Sequence, residues 1–305
     1  KTKLETDSFL DCNSLIHLEF FLSVTTVYNF DFDKYWKLKE ITIPDIELSV
    51  LDDSFSNCSN LEKLTVSNSL IYIGEHVFDK LTNLKEIELD PYSKFADLFK
   101  KSFENSSSLN HFIFSSKIIK TEQSPLNFFN KITNITIPKS VKIIGANTFK
   151  DCTFIEAINI SDSVVLIEEN AFKGCSKLKN INIPKSVEKI EKAAFYNCLS
   201  LEIIDLHNCS IKSIENNLFH GCYNLEQIML PDSVFFIGVE SFSHCINLNQ
   251  IKLPDLISFI GDGAFYQCNK ISKITIPPLV KSIKSSCFMN CSSLKQVQLC
   301  NSLRY

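Results

Sequence analysis

Phenylalanine recurs along this chain at a nearly constant interval, and that interval constrains the fold more than any other feature. Successive anchors are separated by 23 residues ten times, by 24 once and by 25 once. A fixed period in the twenties is typical of a solenoid, in which each repeat forms one coil. The thirteen anchors are Phe9, Phe32, Phe55, Phe78, Phe103, Leu126, Phe149, Phe172, Phe195, Phe219, Phe242, Phe265 and Phe288.

The residues that follow each anchor predict one short strand and one turn per coil. Counted from the anchor, position 3 is usually Cys and positions 6, 9 and 11 are usually aliphatic, as in Cys175, Leu178, Ile181 and Ile183. Positions 9 and 11 alternate with polar residues, which predicts a strand with one buried face. Pro at position 12 cannot donate to a ladder and should end that strand. Asp, Asn or Gly at position 2 predicts a left-handed turn before it.

The coils depend on one another for a buried core. No coil can shelter its Phe, Cys and Ile alone, so neighbouring coils should stack with their strands in a parallel sheet. The 45% of apolar residues is sufficient for such a core. We therefore expect residues 1–305 to form a single solenoid domain. Because both ends fall partway through a repeat, without polar capping units, we also expect a fragment of a longer array whose ends are covered.

Charge and motif content argue against several classes of function. The net charge is only −4, and no run of Lys or Arg resembles a polyanion-binding stripe, so we expect no nucleic-acid partner. No stretch approaches the roughly 18 uninterrupted apolar residues of a membrane span, so we expect no membrane insertion in this part of the chain. The six His residues are scattered and no catalytic or phosphate-binding motif is complete. We expect no enzyme, no cofactor and no metal.

These residues resemble the BspA-type, or treponemal-type, leucine-rich repeat, whose consensus runs through Pro, Val, Ile-Gly, Phe-x-x-Cys and Leu-x-x-Ile. The resemblance covers essentially the whole chain. It implies an α/β solenoid, mostly β, wound as a right-handed coil of about 13 repeats of 23 residues with a parallel concave sheet. Two stretches that carry the pattern in register are Ile143-Ile144-Gly145 with Phe149-x-x-Cys152, and Phe236-Ile237-Gly238 with Phe242-x-x-Cys245.

The resemblance implies adhesion or protein binding. Members of this family are known as surface adhesins of anaerobic bacteria and as an expanded set in parasitic protists, some of them intracellular. We therefore expect a protein partner and a cell-surface or secreted location. The alternative is a cytoplasmic scaffold or regulatory subunit that docks protein partners.

Cysteine fills position 3 in nine coils, and apolar residues such as Tyr35 and Leu81 replace it elsewhere. We interpret this slot as packing and expect reduced, buried thiols. Cys287 and Cys300 lie outside the slot and are the candidates for a reactive thiol. The common leucine-rich repeat places Asn or Cys after its strand, where this chain has Ser at position 14 in seven coils, so we predict a ladder of hydroxyl hydrogen bonds.

The exposed strand residues at positions 8 and 10 form the candidate binding surface, because the concave sheet is the usual contact surface of such solenoids. We select the coils in which apolar side chains stand among the polar residues at positions 8 and 10. An irregular segment at 90–101 is the alternative edge, although a degenerate repeat explains it equally well, and a merely solvated sheet face is a further alternative. The concave candidates are Asn159, Asn180, Asn182, Ile203, Asp205, Gln227 and Met229, and the edge candidates are Tyr92, Phe95, Phe99, Lys100 and Lys101.

Overall fold

The structure is a computed structural model in which the described residues divide into two compact units. One unit lies within 1–115 and 128–136, and the other within 116–127 and 137–305. The described residues are 2–4, 9, 11–12, 14–19, 24–27, 32, 35–43, 47–50, 54–55, 57–66, 70–73, 77–78, 80–90, 108–116, 118–122 and 131–299.

The first unit contains two parallel sheets. Its strands are β1 (Thr2–Leu4), β2 (His17–Glu19), β3 (Val24–Val27), β4 (Glu40–Ile43), β5 (Glu47–Val50), β6 (Lys63–Val66), β7 (Leu70–Ile73), β8 (Glu86–Leu89), β9 (His111–Phe114) and β10 (Asn134–Ile137). The strands at the predicted repeat position, β2, β4, β6, β8, β9 and β10, neighbour one another in that order. Strands β1, β3, β5 and β7 form the other sheet.

The second unit repeats this arrangement with shorter strands. Its strands are β11 (Ile143–Ile144), β12 (Ala157–Ile160), β13 (Leu166–Ile167), β14 (Asn180–Ile181), β15 (Lys189–Ile190), β16 (Ile203–Asp205), β17 (Ser213–Ile214), β18 (Gln227–Met229), β19 (Phe236–Ile237), β20 (Gln250–Ile251), β21 (Phe259–Ile260), β22 (Lys273–Thr275) and β23 (Gln296–Gln298). Strands β12, β14, β16, β18 and β20 lie side by side in that order, and β22 pairs with β23 separately. The other strands form two three-stranded sheets, β11-β13-β15 and β17-β19-β21.

The predicted parallel solenoid is confirmed, and most repeat strands have one buried face, although β20 has no buried residue and β23 is exposed throughout. In β12, Ile158 and Ile160 are buried, whereas Ala157 and Asn159 are exposed. Register is kept from coil to coil, since Ala157 pairs with Asn180 one period later. The regularity is lower than predicted, because the repeat-strand sheet ends at β20 and the last two repeat strands form their own pair.

Two expectations about the coil are corrected. We predicted one strand per coil, but a second short strand occupies positions 17 and 18 in most coils of the second unit, as at Leu166–Ile167. Two residues are too few to produce a visible alternation in the sequence. In addition, no α-helix occurs among the described residues, so the helical part of the predicted α/β class is absent from them.

Each anchor from Phe149 to Phe288 is flanked by two residues with left-handed backbone, which explains why turns replace a helix there. The predicted turn at position 2 is confirmed, and a second one at position −2 was not predicted. At position 2 these residues are Asp151, Gly174, Asn197, Gly221, His244, Gln267 and Asn290, and at position −2 they are Asn147, Asn170, Ala193, Asn217, Glu240, Gly263 and Ser286.

The anchors form the core by stacking ring on ring. In the second unit the ring centroids of neighbouring anchors from Phe149 to Phe288 are between 5.1 and 5.6 Å apart, and the interplanar angles are small. In the first unit Phe32 and Phe55 stack with centroids 4.6 Å apart. Stacked rings at these distances add to the stabilisation that comes from burial alone.

Two side-chain ladders connect the coils. In seven described coils the position-3 Cys thiol donates to the anchor carbonyl of the preceding coil, as from Cys198 to Phe172 at 3.2 Å. The Cys slot therefore supplies a hydrogen bond as well as packing. The predicted hydroxyl ladder is confirmed in part: Ser163, Ser186 and Ser233 each donate to a carbonyl of the preceding coil at 2.6 to 2.9 Å, whereas the buried hydroxyl of Ser140 has no hydrogen-bond partner.

The cysteines are free thiols throughout the described residues, but two expectations about them fail. Cys287, a candidate for a reactive thiol, is buried, and burial together with the nearby Cys291 raises its pKa to about 12. It occupies position −1, a small buried slot that Ala171 and Ala194 fill in other coils. Cys12, which we expected to be buried, is exposed. Cys300 lies outside the described residues.

Candidate functional site

The seven concave candidates lie within the second unit on the outward positions of neighbouring coils. Strand pairing aligns Asn180 with Ile203, Ile203 with Gln227, and Asp205 with Met229. Ile203 is 45% exposed, which is a large fraction for an aliphatic residue in a sheet. Asn159, Asn180, Asn182 and Asp205 are exposed, and Gln227 and Met229 are half-buried. We call these seven residues the amide face.

The amide groups of this face are free to bind a partner. Within the uninterrupted stretch 131–299, the side chains of Asn159, Asn180, Asn182 and Gln227 make no hydrogen bond to the protein. Each amide carries two donors and an acceptor, so together they can satisfy both the N–H and C=O groups of a polypeptide. The apolar Ile203 among them supplies area that a partner can bury.

Asp205 provides a fixed negative charge on the amide face. Partial burial acts to raise the pKa of Asp205, but hydrogen bonds from the side chain and the backbone N–H of His207 hold that pKa below its ordinary value. The backbone N–H of His207 lies 3.0 Å from the Asp205 carboxylate. The carboxylate is therefore ionised at neutral pH and can accept hydrogen bonds from a cationic or amide group.

A groove of about 450 Å³ opens at the edge of the amide face, which is within the usual size of a ligand pocket. Its apolar part includes Ile251, which is half-buried although its counterparts Ile181 and Ile228 are buried. The residues lining the groove are Gln227, Ile228, Met229, Leu230, Asp232, Asn249, Gln250, Ile251, Lys252 and Pro254. The amide face thus ends, at Gln227 and Met229, in a concavity that can take a side chain.

The sequence interpretation missed most of this groove. Gln250 and Lys252 stand in the same columns as Gln227 and Met229, so continuing those columns by one coil would have found them. The half-exposure of Ile251 has no sequence signal, because other coils have a buried Ile at the same position.

Several ionisable side chains on the repeat strands of the first unit are paired with one another. His111 lies 3.1 Å from Glu86, and Lys63 lies 3.5 Å from the same carboxylate. His17 approaches Glu40 at 3.4 Å. Exposed pairs of this kind contribute little to stability, but they occupy the groups that a partner would need. The amide face is consequently the better candidate for binding.

The remaining possibilities are the alternative edge, a metal site and a membrane-spanning segment. The alternative edge, Tyr92, Phe95, Phe99, Lys100 and Lys101, lies outside the described residues. Across the described residues no group of three His, Cys, Asp or Glu side chains is placed to hold a metal ion. The described residues also include no helix of the length and apolarity that crossing a bilayer requires.

Comparison with known proteins gives a consistent result over the whole chain. A family model described as the BspA type leucine rich repeat region, in six copies, matches residues 2–126, 32–156, 142–238 and 212–305. No curated protein is significantly similar to the chain.

Two solved structures resemble the chain closely enough to inform its fold. A leucine-rich repeat protein from Bacteroides ovatus is 26% identical, with a TM-score of 0.53, and the alignment covers 97% of this chain and 81% of that one. A leucine-rich repeat protein from Eubacterium ventriosum is 21% identical, with a TM-score of 0.53, and the alignment covers 95% and 80% of the two chains.

Proposed function

The chain belongs to the BspA-type leucine-rich repeat family, and from this premise we propose that it is a non-enzymatic module that binds a protein partner through the amide face. Solenoids present an extended surface that neighbouring coils hold in place, and this suits them to recognise macromolecules. A partner that makes hydrogen bonds to several coils at once gains affinity without requiring a deep pocket.

The observation that carries this proposal is the free hydrogen-bonding capacity of Asn159, Asn180, Asn182 and Gln227 beside the exposed Ile203. Ile203 adds apolar area to an otherwise polar part of the sheet. Here that residue is bordered by amides in register, and the groove beside Met229 lies at the end of the row. Apolar area with a polar surround is the usual composition of a protein interface.

Adhesion at the cell surface, or after secretion, to a host or matrix protein is the role that best fits this family. The second candidate is a cytoplasmic scaffold or regulatory subunit that docks protein partners through the same face. The two roles differ in where the full-length protein resides and in the kind of partner. Tagging the full-length protein separates them, since an adhesin loses its tag when intact cells are treated with protease or is found in the medium, whereas a cytoplasmic scaffold does neither.

The amide face is tested by measuring binding of the purified chain to a panel of immobilised extracellular matrix proteins. We expect the combined substitutions Asn182→Ala, Ile203→Ala and Met229→Ala to weaken the strongest interaction at least tenfold, because they remove two apolar contacts and one amide. The matched control is Lys273→Ala with Gln296→Ala and Gln298→Ala, which lie on outward positions of the repeat strands beyond the groove. The control should bind as the unaltered chain does.

Two results would count against the proposal. Undiminished binding by the triple variant rejects the amide face as the contact surface. A cytoplasmic location, combined with no binding to any matrix protein, rejects the adhesion role in favour of the scaffold.

A further inference from the structure

The three-stranded sheet β17-β19-β21 carries aromatic side chains on its outward face. Phe236 and Phe259 are aligned by strand pairing, and their rings stack with centroids 5.0 Å apart and an interplanar angle of 5°. Each is followed by a buried Ile, so the rings stand on the solvent side of β19 and β21. Phe235, one residue earlier, is 49% exposed. We call these three residues the aromatic face.

This placement is informative because the repeat strands have no aromatic residue at their outward positions within 131–299. Aromatic side chains dominate the energetically important contacts of protein interfaces. The amide face can supply hydrogen bonds, and the aromatic face supplies the aromatic contacts that the amide face lacks. Exposed neighbouring apolar side chains on one sheet mark an interaction surface.

The aromatic face is a short row of rings, called the ridge below, with small residues in the adjoining coils. Ser213 aligns with Phe236 in the preceding coil, and Ser282 has the corresponding position in the coil that follows Phe259. Two residues after each ring comes a buried glycine, Gly238 or Gly261, which adds no side chain. At Gly238 a Cβ atom would meet the backbone nitrogen of Asn216 at 2.6 Å, so a larger residue is excluded there. Two coils thus carry half-buried stacked rings between coils that have serine at the same position.

Positive charge borders the ridge in both directions along the stack. Lys212 aligns with Phe235, whose backbone N–H donates to the Lys212 carbonyl at 3.0 Å. Lys281 and Lys284 belong to the coil after Phe259, and the Lys284 ammonium lies 6.0 Å from the centroid of the Phe259 ring. All three lysines are exposed.

Two carboxylates near the ridge accept hydrogen bonds from neutral groups of the protein. Glu215 accepts a hydrogen bond from the Ser213 hydroxyl at 2.6 Å, and Asp262 accepts one from the backbone N–H of Ser285 at 3.0 Å. Within 131–299, none of the three lysines forms an ion pair with a carboxylate. Their charge is therefore available to a ligand that approaches the rings.

We infer that the aromatic face binds a segment of a partner protein that combines apolar side chains with flanking carboxylates. The apolar side chains of that segment pack on Phe235, Phe236 and Phe259, and its carboxylates lie near Lys212 and Lys281. Opposite charge on the two surfaces speeds encounter and selects the partner. A lipid surface is a poorer match, because three lysines give only weak attraction to anionic lipid.

Fluorescence anisotropy with defined probes tests this surface. The probes are a labelled twelve-residue peptide that alternates glutamate with leucine and a counterpart that alternates lysine with leucine. We expect the purified chain to bind the acidic peptide at least tenfold more tightly than the basic one. Raising the salt concentration should reduce this preference, since the lysines are exposed.

Two variants assign the binding to the aromatic face. Phe235→Ser with Phe236→Ser should weaken binding of the acidic peptide at least tenfold, and it should fold, because Ser258 and Ser213 hold the aligned positions in neighbouring coils. Lys212→Glu with Lys281→Glu should abolish the preference for the acidic peptide. The triple alanine variant of the amide face is the control and should bind the acidic peptide normally.

Several outcomes would overturn the inference. Equal binding of the two peptides, or unchanged binding by the serine variant, removes the aromatic face as a site for acidic segments. Co-sedimentation of the chain with phosphatidylglycerol vesicles, lost in the serine variant and accompanied by no peptide binding, identifies the face as a lipid surface. These results do not affect the amide face, which is tested with different variants.

Discussion

At the scale of single residues, the repeated cysteine combines two tasks. Its small apolar body fills the interior, and its thiol donates a weak hydrogen bond to an anchor carbonyl of the preceding coil, as from Cys222 to Phe195 at 3.1 Å. Tyr35 and Leu81 fill the same slot and are also buried, so packing is the requirement and the hydrogen bond is the additional contribution. The apolar substitutes allowed the packing role to be predicted from the sequence, but the hydrogen bond of the thiol was not predicted.

Burial controls how readily each thiol reacts. The pKa of Cys222 is raised to about 12, mainly by burial, so very little of its thiolate is present at pH 8. In the folded protein we expect iodoacetamide to label the exposed Cys12 within minutes and to leave Cys222 and Cys287 largely unmodified. Mass spectrometry of tryptic peptides measures the rates. Labelling of Cys287 as fast as that of Cys12 would contradict the buried position assigned to it.

At the scale of elements, the paired left-handed residues explain how each coil turns around its anchor. Asn and Gly occupy several of these sites, and both types adopt positive φ readily. Ala193 is an exception, with φ of 54°, while three other coils have Asn at the same position −2. A residue with a Cβ and no polar side chain is strained in this conformation.

Ala193→Asn should therefore stabilise the protein. We expect an increase in the free energy of unfolding of up to about 1 kcal/mol, because Asn tolerates the left-handed backbone that costs alanine roughly 1–2 kcal/mol. The longer side chain should fit, since Ala193 is only half-buried and Asn170 and Asn217 hold the same position in the neighbouring coils. Urea denaturation followed by circular dichroism measures the change. A decrease in the free energy of unfolding would show that the space for the side chain at position 193, and not strain in its backbone, determines the effect of the substitution.

The sequence predicts elements well where the pattern is long and poorly where it is short. The four-residue alternation in β12 and the Pro-terminated strand β10 were predictable from period and chemistry. The two-residue strands at positions 17 and 18 were not, because Phe236-Ile237 shows no alternation that separates a strand from a turn. For the same reason the aromatic face was not predicted, since its outward direction follows from the pairing of β19 with β21.

The sequence predicted correctly which residues of the amide face are neighbours, but it did not predict the groove beside them. Counting from the anchors correctly placed Asn180, Ile203 and Gln227 side by side on the outward face. The groove next to Met229 depends on the partial exposure of Ile251, which is a consequence of how two coils pack. Packing differences between coils of identical pattern cannot be read from the pattern.

At the scale of the whole molecule, stacking divides the side chains of each unit into an interior that maintains the coils and an exterior that is available for binding. Stability in such an array is a sum of terms within coils and between neighbouring coils. Loss of an interior anchor should therefore loosen the adjacent coils, whereas loss of an exterior side chain should not. Phe195 and Ile203 provide this contrast within a single coil of the second unit, since the first is buried and the second is 45% exposed.

Hydrogen–deuterium exchange of the full chain measures this division directly. Phe195→Ala removes a ring that stacks on Phe172 and Phe219, at a cost of about 3–5 kcal/mol, and we predict faster amide exchange in β14, β16 and β18 together. Ile203→Ala should leave exchange in all three strands close to that of the unaltered protein. Faster exchange confined to β16 in the first variant, or equal loosening by both variants, would contradict the account.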